Sequence, residues 1–247
     1  MTTWTRQLYE NDYFAIAKGE SNGHSFVHKN GYNSDIDATT DPETIWTVGG
    51  LYPWSEFNSP RTLYVQSSSP LESGQVLIDG LDNNYNVIQE YIPVIGTTTA
   101  VSTLAYKRVN AMIFLDGDQT NVGMVTARVG SAAGVIVAEV FTGFGVSSSA
   151  TYTVPAGFTA YVLCGDFTVK KGEGAQVQFK VRAFGSSFRT THIAEAYQAS
   201  YRYEFLIPLP LPEKSDLDVL VYEVETNNTR VSSNFDLILV DNLYKRT

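Results

Sequence analysis

The sequence has one cysteine, three histidines and no long apolar run, and each shortage removes a class of function. A single thiol, Cys164 in "AYVLCGDF", forms no internal disulfide, so stability must come from packing and from neighbouring chains. Its apolar setting reads as a small core residue rather than a reactive nucleophile. His24 and His28 are four apart, but the Gly- and Asn-rich stretch around them is not helical and offers no cysteine partner, so the two-histidine zinc helix is absent. Basic residues are scarce too: 17 Lys and Arg against 26 Asp and Glu give a formal net charge of −9. A field of that sign repels phosphate backbones and anionic lipid, which argues against general nucleic-acid or membrane-surface binding while leaving room for a local basic patch. No segment approaches the roughly 18 apolar residues of a membrane helix. The start, "MTTWTRQLYENDYF", lacks the basic-then-apolar order of a secretion signal, so the chain is expected to be made in the cytoplasm and left intact.

Catalytic signatures are equally thin. "GVSSSA" from 145 lacks the second glycine of a nucleophile elbow, and no Walker A loop or G-x-G-x-x-G follows a strand. "KKGEGAQ" at 170–176 has no helix after it to present an N-terminus to phosphate, so it reads as a turn. Neither a catalytic residue nor a cofactor is expected. A glycosidase pair is the enzyme reading left open, because Glu195, Glu204, Asp216, Asp218, Glu223 and Glu225 would need only to meet in space. Acids alternating along "DLDVLVYEVE", however, are what a solvated sheet face produces.

What is abundant is strand material. Aromatics make up 13% of the chain and 19 glycines punctuate it, with Val, Ile, Tyr and Thr filling runs that alternate apolar and polar. "RTLYVQSS" at 61–68, "GQVLIDGL" at 74–81 and "YNVIQEYIPVIG" at 85–96 are the clearest, and comparable runs recur every 10 to 14 residues to the end. That spacing predicts sandwiches or barrels rather than strand-helix-strand units. The only helical candidate, "TTHIAEAYQAS" at 190–200, has few apolar residues at 3.6 spacing.

The oxygen-rich stretch "DGLDNNYN" at 79–86 has two readings. As a cation site it would use Asp79 and Asp82, but it lacks the spaced loop and closing acid that calcium needs. As a turn it sits where a hairpin must reverse, and Asn and Asp tolerate left-handed backbone there. "DGDQTN" at 116–121, with Asp116 and Asp118, poses the same choice.

The predicted fold is all-β, two tandem antiparallel β-sandwich domains, jelly-roll-like, with an N-terminal arm. Residues 1–33 form the arm, 34–142 the first domain and 143–247 the second, the break falling at the Gly- and Ser-rich "FTGFGVSSSA". Asn22-Gly23 and Asn30-Gly31 favour tight hairpin turns, so the arm is either a subunit clasp or a first hairpin. Tyr197, Tyr201 and Tyr203 flank Arg202 in "YQASYRYEF"; aromatics beside a guanidinium suit a sugar- or protein-binding surface, whereas the alternation alone makes one face of a strand.

Several blocks resemble one family. "SGQVLIDGLDNNYNVIQEYIPVIGTTTAVST" (73–103), "YKRVNAMIF" (106–114), "TNVGMVTARVG" (120–130), "YTVPAGFTAYV" (152–162) and "LPEKSDLDVLV" (211–221) resemble, in order, successive blocks of virion structural proteins from tailed bacteriophages of marine and cyanobacterial hosts. The resemblance spans roughly residues 60–240 and implies a noncatalytic virion protein, assembled in the host cytoplasm, serving as capsid decoration, neck or tail component. A receptor- or glycan-binding tail appendage is the alternative it leaves, with a glycan depolymerase behind. It implies no active-site residue. Expected partners are further copies of itself, with a trimer first, other virion proteins and in the alternative a host surface glycan; neither nucleic acid nor membrane is expected. Trp4, Tyr13, Trp46 and Trp54 are the candidate subunit contacts, because aromatics dominate buried interface area. Replacing Trp4 or Tyr13 with alanine is expected to weaken incorporation into particles while leaving the far-ultraviolet β-signal intact; normal incorporation would remove the arm from assembly.

Overall fold

The computed structural model describes residues 13–37, 42–116, 120–197 and 200–244. Beyond a helical turn at 13–17 and the short 3-10 turns Trp54–Asn58 and Asn242–Tyr244, its regular backbone is extended. In chain order the strands are β1 (His24–Ile36), β2 (Glu43–Thr44), β3 (Arg61–Ser67), β4 (Ser73–Leu81), β5 (Val87–Ile95), β6 (Ala100–Tyr106), β7 (Arg108–Leu115) and β8 (Val125–Val129). There follow β9 (Val135–Val140), β10 (Thr151–Thr153), β11 (Phe158–Val169), β12 (Gly174–Arg182), β13 (Arg189–Tyr197), β14 (Ser200–Leu211), β15 (Asp216–Val224) and β16 (Thr229–Asp241).

Antiparallel pairing gathers them into four sheets. Sheets ordered β6-β3-β8-β9 and β5-β4-β7 face each other across one core that includes Leu63, Val65, Val76, Ile78, Met112 and Phe114. Sheets ordered β1-β16-β11-β14 and β10-β15-β12-β13 enclose a second, with Phe167, Phe179, Phe235, Leu237 and Val219. Burying one face of each strand is the reason for the period-two pattern, at about 1.5–3 kcal/mol for each large side chain. The chain passes from β2 into the first sandwich, leaves it after β9 and returns to the second at β10. Residues assigned by sequence to the arm and the first domain therefore supply β1 and β2 to the second sandwich: β1 pairs along β16, and β2 pairs with β15. An open sheet edge accepts whichever strand reaches it, and composition breaks carry no record of that choice.

Asn22-Gly23 turns, with Gly23 at φ +72°, whereas Asn30-Gly31 lies inside β1. A Cβ on Gly31 would stand 2.3 Å from the Ile45 carbonyl oxygen and 2.6 Å from the Ala150 nitrogen, so the glycine serves close approach rather than reversal. The helical candidate at 190–200 contributes β13, with Ala194 and Ala196 facing the core and Ile193 turned outward. Cys164 is moved by a bulge. The register slips between Val162 and Cys164, so Ala160 and Val162 face the core before it and Phe167 and Val169 after it. The thiol leaves the core phase and donates to Asp236 at 3.4 Å.

"DNNYN" is a corner. The Asp82 carboxylate accepts from the Asn84 and Asn86 amides at 2.7 and 2.9 Å and from the Asn86 side chain at 3.0 Å, closing the β4–β5 reversal. Asp79 instead accepts from Gln89 at 3.0 Å, so the two acids do not converge. Asp118 lies outside the described residues, and among those described no three His, Cys, Asp or Glu side chains gather to hold a metal ion.

The two sandwiches meet around Asp216, 3% exposed at the start of β15. Arg108, from β7 of the first sandwich, donates to both its oxygens at 2.8 and 3.0 Å. Arg182, from β12 of the second, donates twice more at 2.9 and 2.5 Å, and the Thr153 hydroxyl donates at 2.6 Å. Asn110 and Thr153 exchange backbone-to-side-chain bonds across the same seam, at 3.0 and 2.9 Å. Lys29 of β1 donates its ammonium to the Asn110 carbonyl at 2.5 Å; burial pulls its pKa down to about 8, partly opposed by Asp79. A buried carboxylate with two guanidinium partners is costly to disrupt from one side, because the cations are left desolvated and unpaired. Asp216→Ala is expected to lower unfolding free energy by about 3–5 kcal/mol in urea titrations; a loss below about 1 kcal/mol, the range of surface pairs, would remove the clamp from the architecture.

Candidate functional site

The seam opens outward into a cleft of about 530 Å³. Its walls come from five places: the Trp54–Asn58 turn, Tyr85 at the β4–β5 corner, Lys107 and Arg108 entering β7, Arg182 at the end of β12 with the loop that follows it, and Lys214 and Asp216 at the start of β15. Four cations line it, Lys107, Arg108, Arg182 and Lys214, against one acid, Asp216. In a chain of net charge −9 this is a local inversion of sign.

Aromatic rings hold the cations in place. The Arg108 guanidinium lies 5.4 Å from the Trp54 ring and 5.5 Å from that of Tyr85. Arg182 stands 4.4 Å from Phe188, and the Lys214 ammonium 5.4 Å from Phe184. These distances fall within cation–π range. Arg108 has its other donors on the Phe57 and Lys107 carbonyls, so burial, which disfavours its charge, is outweighed by Asp216 and the guanidinium stays protonated. Lys107 donates to the Asn58 carbonyl at 2.7 Å. Lys214 has no ion-pair partner among the described residues.

Two residues of the wall carry backbone strain. Tyr85 has φ +67° and Lys214 φ +62°, left-handed geometry that side chains with a Cβ resist. Both are over-determined by their surroundings: the Tyr85 amide donates to the Asp82 carbonyl, its own carbonyl accepts from Ala156, and the Lys214 amide donates to Val154. Such strain gathers where a side chain must point in one direction.

Of the residues singled out by sequence, Trp54 and Asp216 line the cleft, and the other described ones lie elsewhere. Trp4 lies outside the described residues. Tyr13 is 53% exposed on the helical turn. Trp46 is 3% exposed in the first core, its indole donating to the Gly49 and Gly50 carbonyls, so its area is buried within the subunit. Trp54 lines the cleft and donates to Asp218 at 2.8 Å. Tyr203 is 7% exposed and, with Tyr201, stacks on Phe167, the strand-face arrangement. Tyr197 and Arg202 stay outside, Arg202 paired with Glu204 at 2.8 Å. The six scattered acids fall into three places: Asp216 and Asp218 are buried at the seam, Glu204 faces solvent, and Glu195, Glu223 and Glu225 come together around a depression beside Tyr197, with Glu195 and Glu223 on either side of Gln176.

Cys164, Asp236 and His28 form a further polar group, with His28 2.7 Å from Asp236. Burial first, then the Asp236 carboxylate, pushes the thiol up to about 11. A protonated thiol beside a carboxylate, with the imidazole on the far side of that carboxylate, is not an activated nucleophile.

Asp218 is a second pH-responsive member of the seam, in addition to Lys29. Burial raises its carboxyl to about 6, though Trp54, Thr44 and Lys180 pull it down. The folded value lies above the unfolded one near 3.9, so the native state holds the extra proton. That contribution is present below about pH 4 and is lost as pH rises through about 6. Asp218→Asn is expected to be more stable than the parent at pH 7 by about 1–2 kcal/mol, with the difference closing near pH 4 in paired urea titrations; a gap constant with pH would refute the assignment.

No protein-family model and no curated protein matches the chain. Among solved structures, the PBSX exported protein XepA is similar at 8% identity over 86% of this chain and 84% of that one, with a TM-score of 0.21. The infectious bursal disease virus VP2 subviral particle follows at 8% identity, over 90% of this chain and 73% of that one, with a TM-score of 0.22. The same virus's Gx strain gives 11% identity over 88% and 72%, with a TM-score of 0.24. Scores this low carry no argument about the function of this chain.

Proposed function

We propose that the chain is a noncatalytic structural protein of a bacteriophage particle, a capsid decoration or a neck or tail component, that assembles with copies of itself and with other virion proteins. The reading rests first on the ordered blocks at residues 73–221 that resemble such proteins. The observation that carries it into three dimensions is exposed apolar side chains on two sheet edges. On β5, an edge strand, Val87, Tyr91 and Ile95 project outward with exposures of 52%, 61% and 68%. Tyr91 sits across from Leu77, which in turn pairs with Ile113, and Leu115 lies two pairs further along. On β14, also an edge, Leu206 and Ile207 are 99% and 82% exposed.

Exposed apolar groups of this kind on sheet edges mark interaction sites. Pro208 and Pro210 on β14 and Pro93 on β5 remove donors from those edges, which favours side-chain docking over open-ended strand addition. A closed homo-oligomer, with three copies as the first expectation, satisfies both features. A clamped pair of sandwiches is also what repeated use by symmetry requires, since each copy must present the same surface.

Sedimentation velocity on the purified chain is expected to show a closed oligomer that Tyr91→Glu and Leu206→Asp each shift toward monomer without change in urea midpoint. A monomeric parent with no affinity for particles lacking it would overturn the proposal.

A further inference from the structure

We infer that the cleft between the sandwiches binds a carboxylate-bearing sugar, an acidic glycan of the uronate or sialate type. This goes beyond the assembly role and does not depend on it. The first ground is size: about 530 Å³ is within the range of small-molecule sites, enough for one or two sugar rings. The second is charge. Arg108 and Arg182 are committed to Asp216, but the Lys214 ammonium has no carboxylate partner among the described residues, and the acid lining the cleft is already saturated by five donated bonds. An incoming carboxylate would meet the Lys214 and Lys107 ammoniums with the two guanidinium groups behind them.

The third ground is the shape of the aromatic wall, which separates a sugar from other anions. Inorganic phosphate would leave the exposed Phe184 ring unused, whereas Trp54 and Phe188 already carry guanidinium groups. A nucleobase gains most between two parallel rings, and the two ring pairs at the cleft are not parallel: Trp54 and Phe188 are inclined at 52°, and Phe184 meets Tyr85 edge-on at 85°. Inclined rings cup a puckered ring, whose C–H faces pack on aromatic carbon while its hydroxyls reach the rim. Phe184 is 63% exposed at the lip of the cleft, held on a loop whose turn is closed by Ser186 donating to the Ala183 carbonyl and whose Gly185 has φ +74°. A large aromatic presented on a built turn beside an unpaired ammonium is an arrangement that folding does not require. Tyr85, buried beneath it, braces the ring from below.

The full chain, labelled on lysine-free tags, would be applied to a glycan array carrying uronate-bearing, sialylated and neutral glycans, and the strongest acidic ligand titrated by calorimetry. Expected results are acidic glycans above neutral ones, a loss of affinity of about ten-fold or more for its carboxyl-reduced analogue, and weakening with salt. Lys214→Gln and Phe184→Ala should each lower affinity by about ten-fold, while Lys171→Gln, outside the cleft, leaves it unchanged; equal urea midpoints exclude unfolding as the cause. The inference is overturned if no acidic glycan binds, if the neutral analogue binds equally, if inorganic phosphate or a mononucleotide competes more tightly than the sugar, or if both cleft variants bind as the parent does.

Discussion

Asp216 is the constraint on which the rest of the molecule depends. One carboxylate receives guanidinium groups from both sandwiches and a hydroxyl from β10, and through it two separately cored units hold one orientation. Desolvating three charges is expensive, and hydrophobic packing of the same volume could have joined the units at lower cost. What the ionic seam supplies instead is direction. Donor geometry fixes the angle between β7 and β15 in a way that interchangeable methyl groups do not, and a subunit used repeatedly in an assembly needs that fixity.

The seam also explains where a cleft can exist. Apolar contact between sandwiches would have closed the gap; a polar clamp leaves Trp54, Tyr85, Phe184 and Phe188 standing around it with their cations. Tyr85 connects the two levels. Its left-handed backbone is imposed by the Asp82-centred corner, and its ring sits under Arg108 and Phe184. The asparagines and aspartates that look like a metal loop in one dimension act as a mould for one aromatic side chain in three.

Much of the strand pattern could be read directly. Val76 and Ile78, or Ile92 and Val94, are buried because alternate residues of a strand share a face, and that periodicity is local. Cys164 escaped the pattern because a bulge changes phase at a single residue, and nothing in "AYVLCGDF" announces one. Gly31 escaped because a glycine needed for a close approach and a glycine needed for a turn look alike after asparagine. Trp46 and Trp54 were singled out for their size, yet one lies in a core and the other at a seam, since size says that a ring will be covered and not by what.

The cleft was not legible at all. Residues 54, 85, 108, 182, 184 and 214 are linked by no spacing rule, and each sits in an unremarkable local context, a cation near a turn or an aromatic after glycine. By itself the sequence determined an all-β chain of short alternating strands with a negative overall field, because side-chain period, turn chemistry and formal charge are properties of neighbours and of sums. Only tertiary structure decided that the first strands join the last ones, that the opposing charges of Arg108, Arg182 and Asp216 meet at a seam, and that Lys107 and Lys214 collect beside it. Those outcomes depend on which sheet edges are open and which surfaces meet when two cores dock, and such distances exist only after the chain has folded.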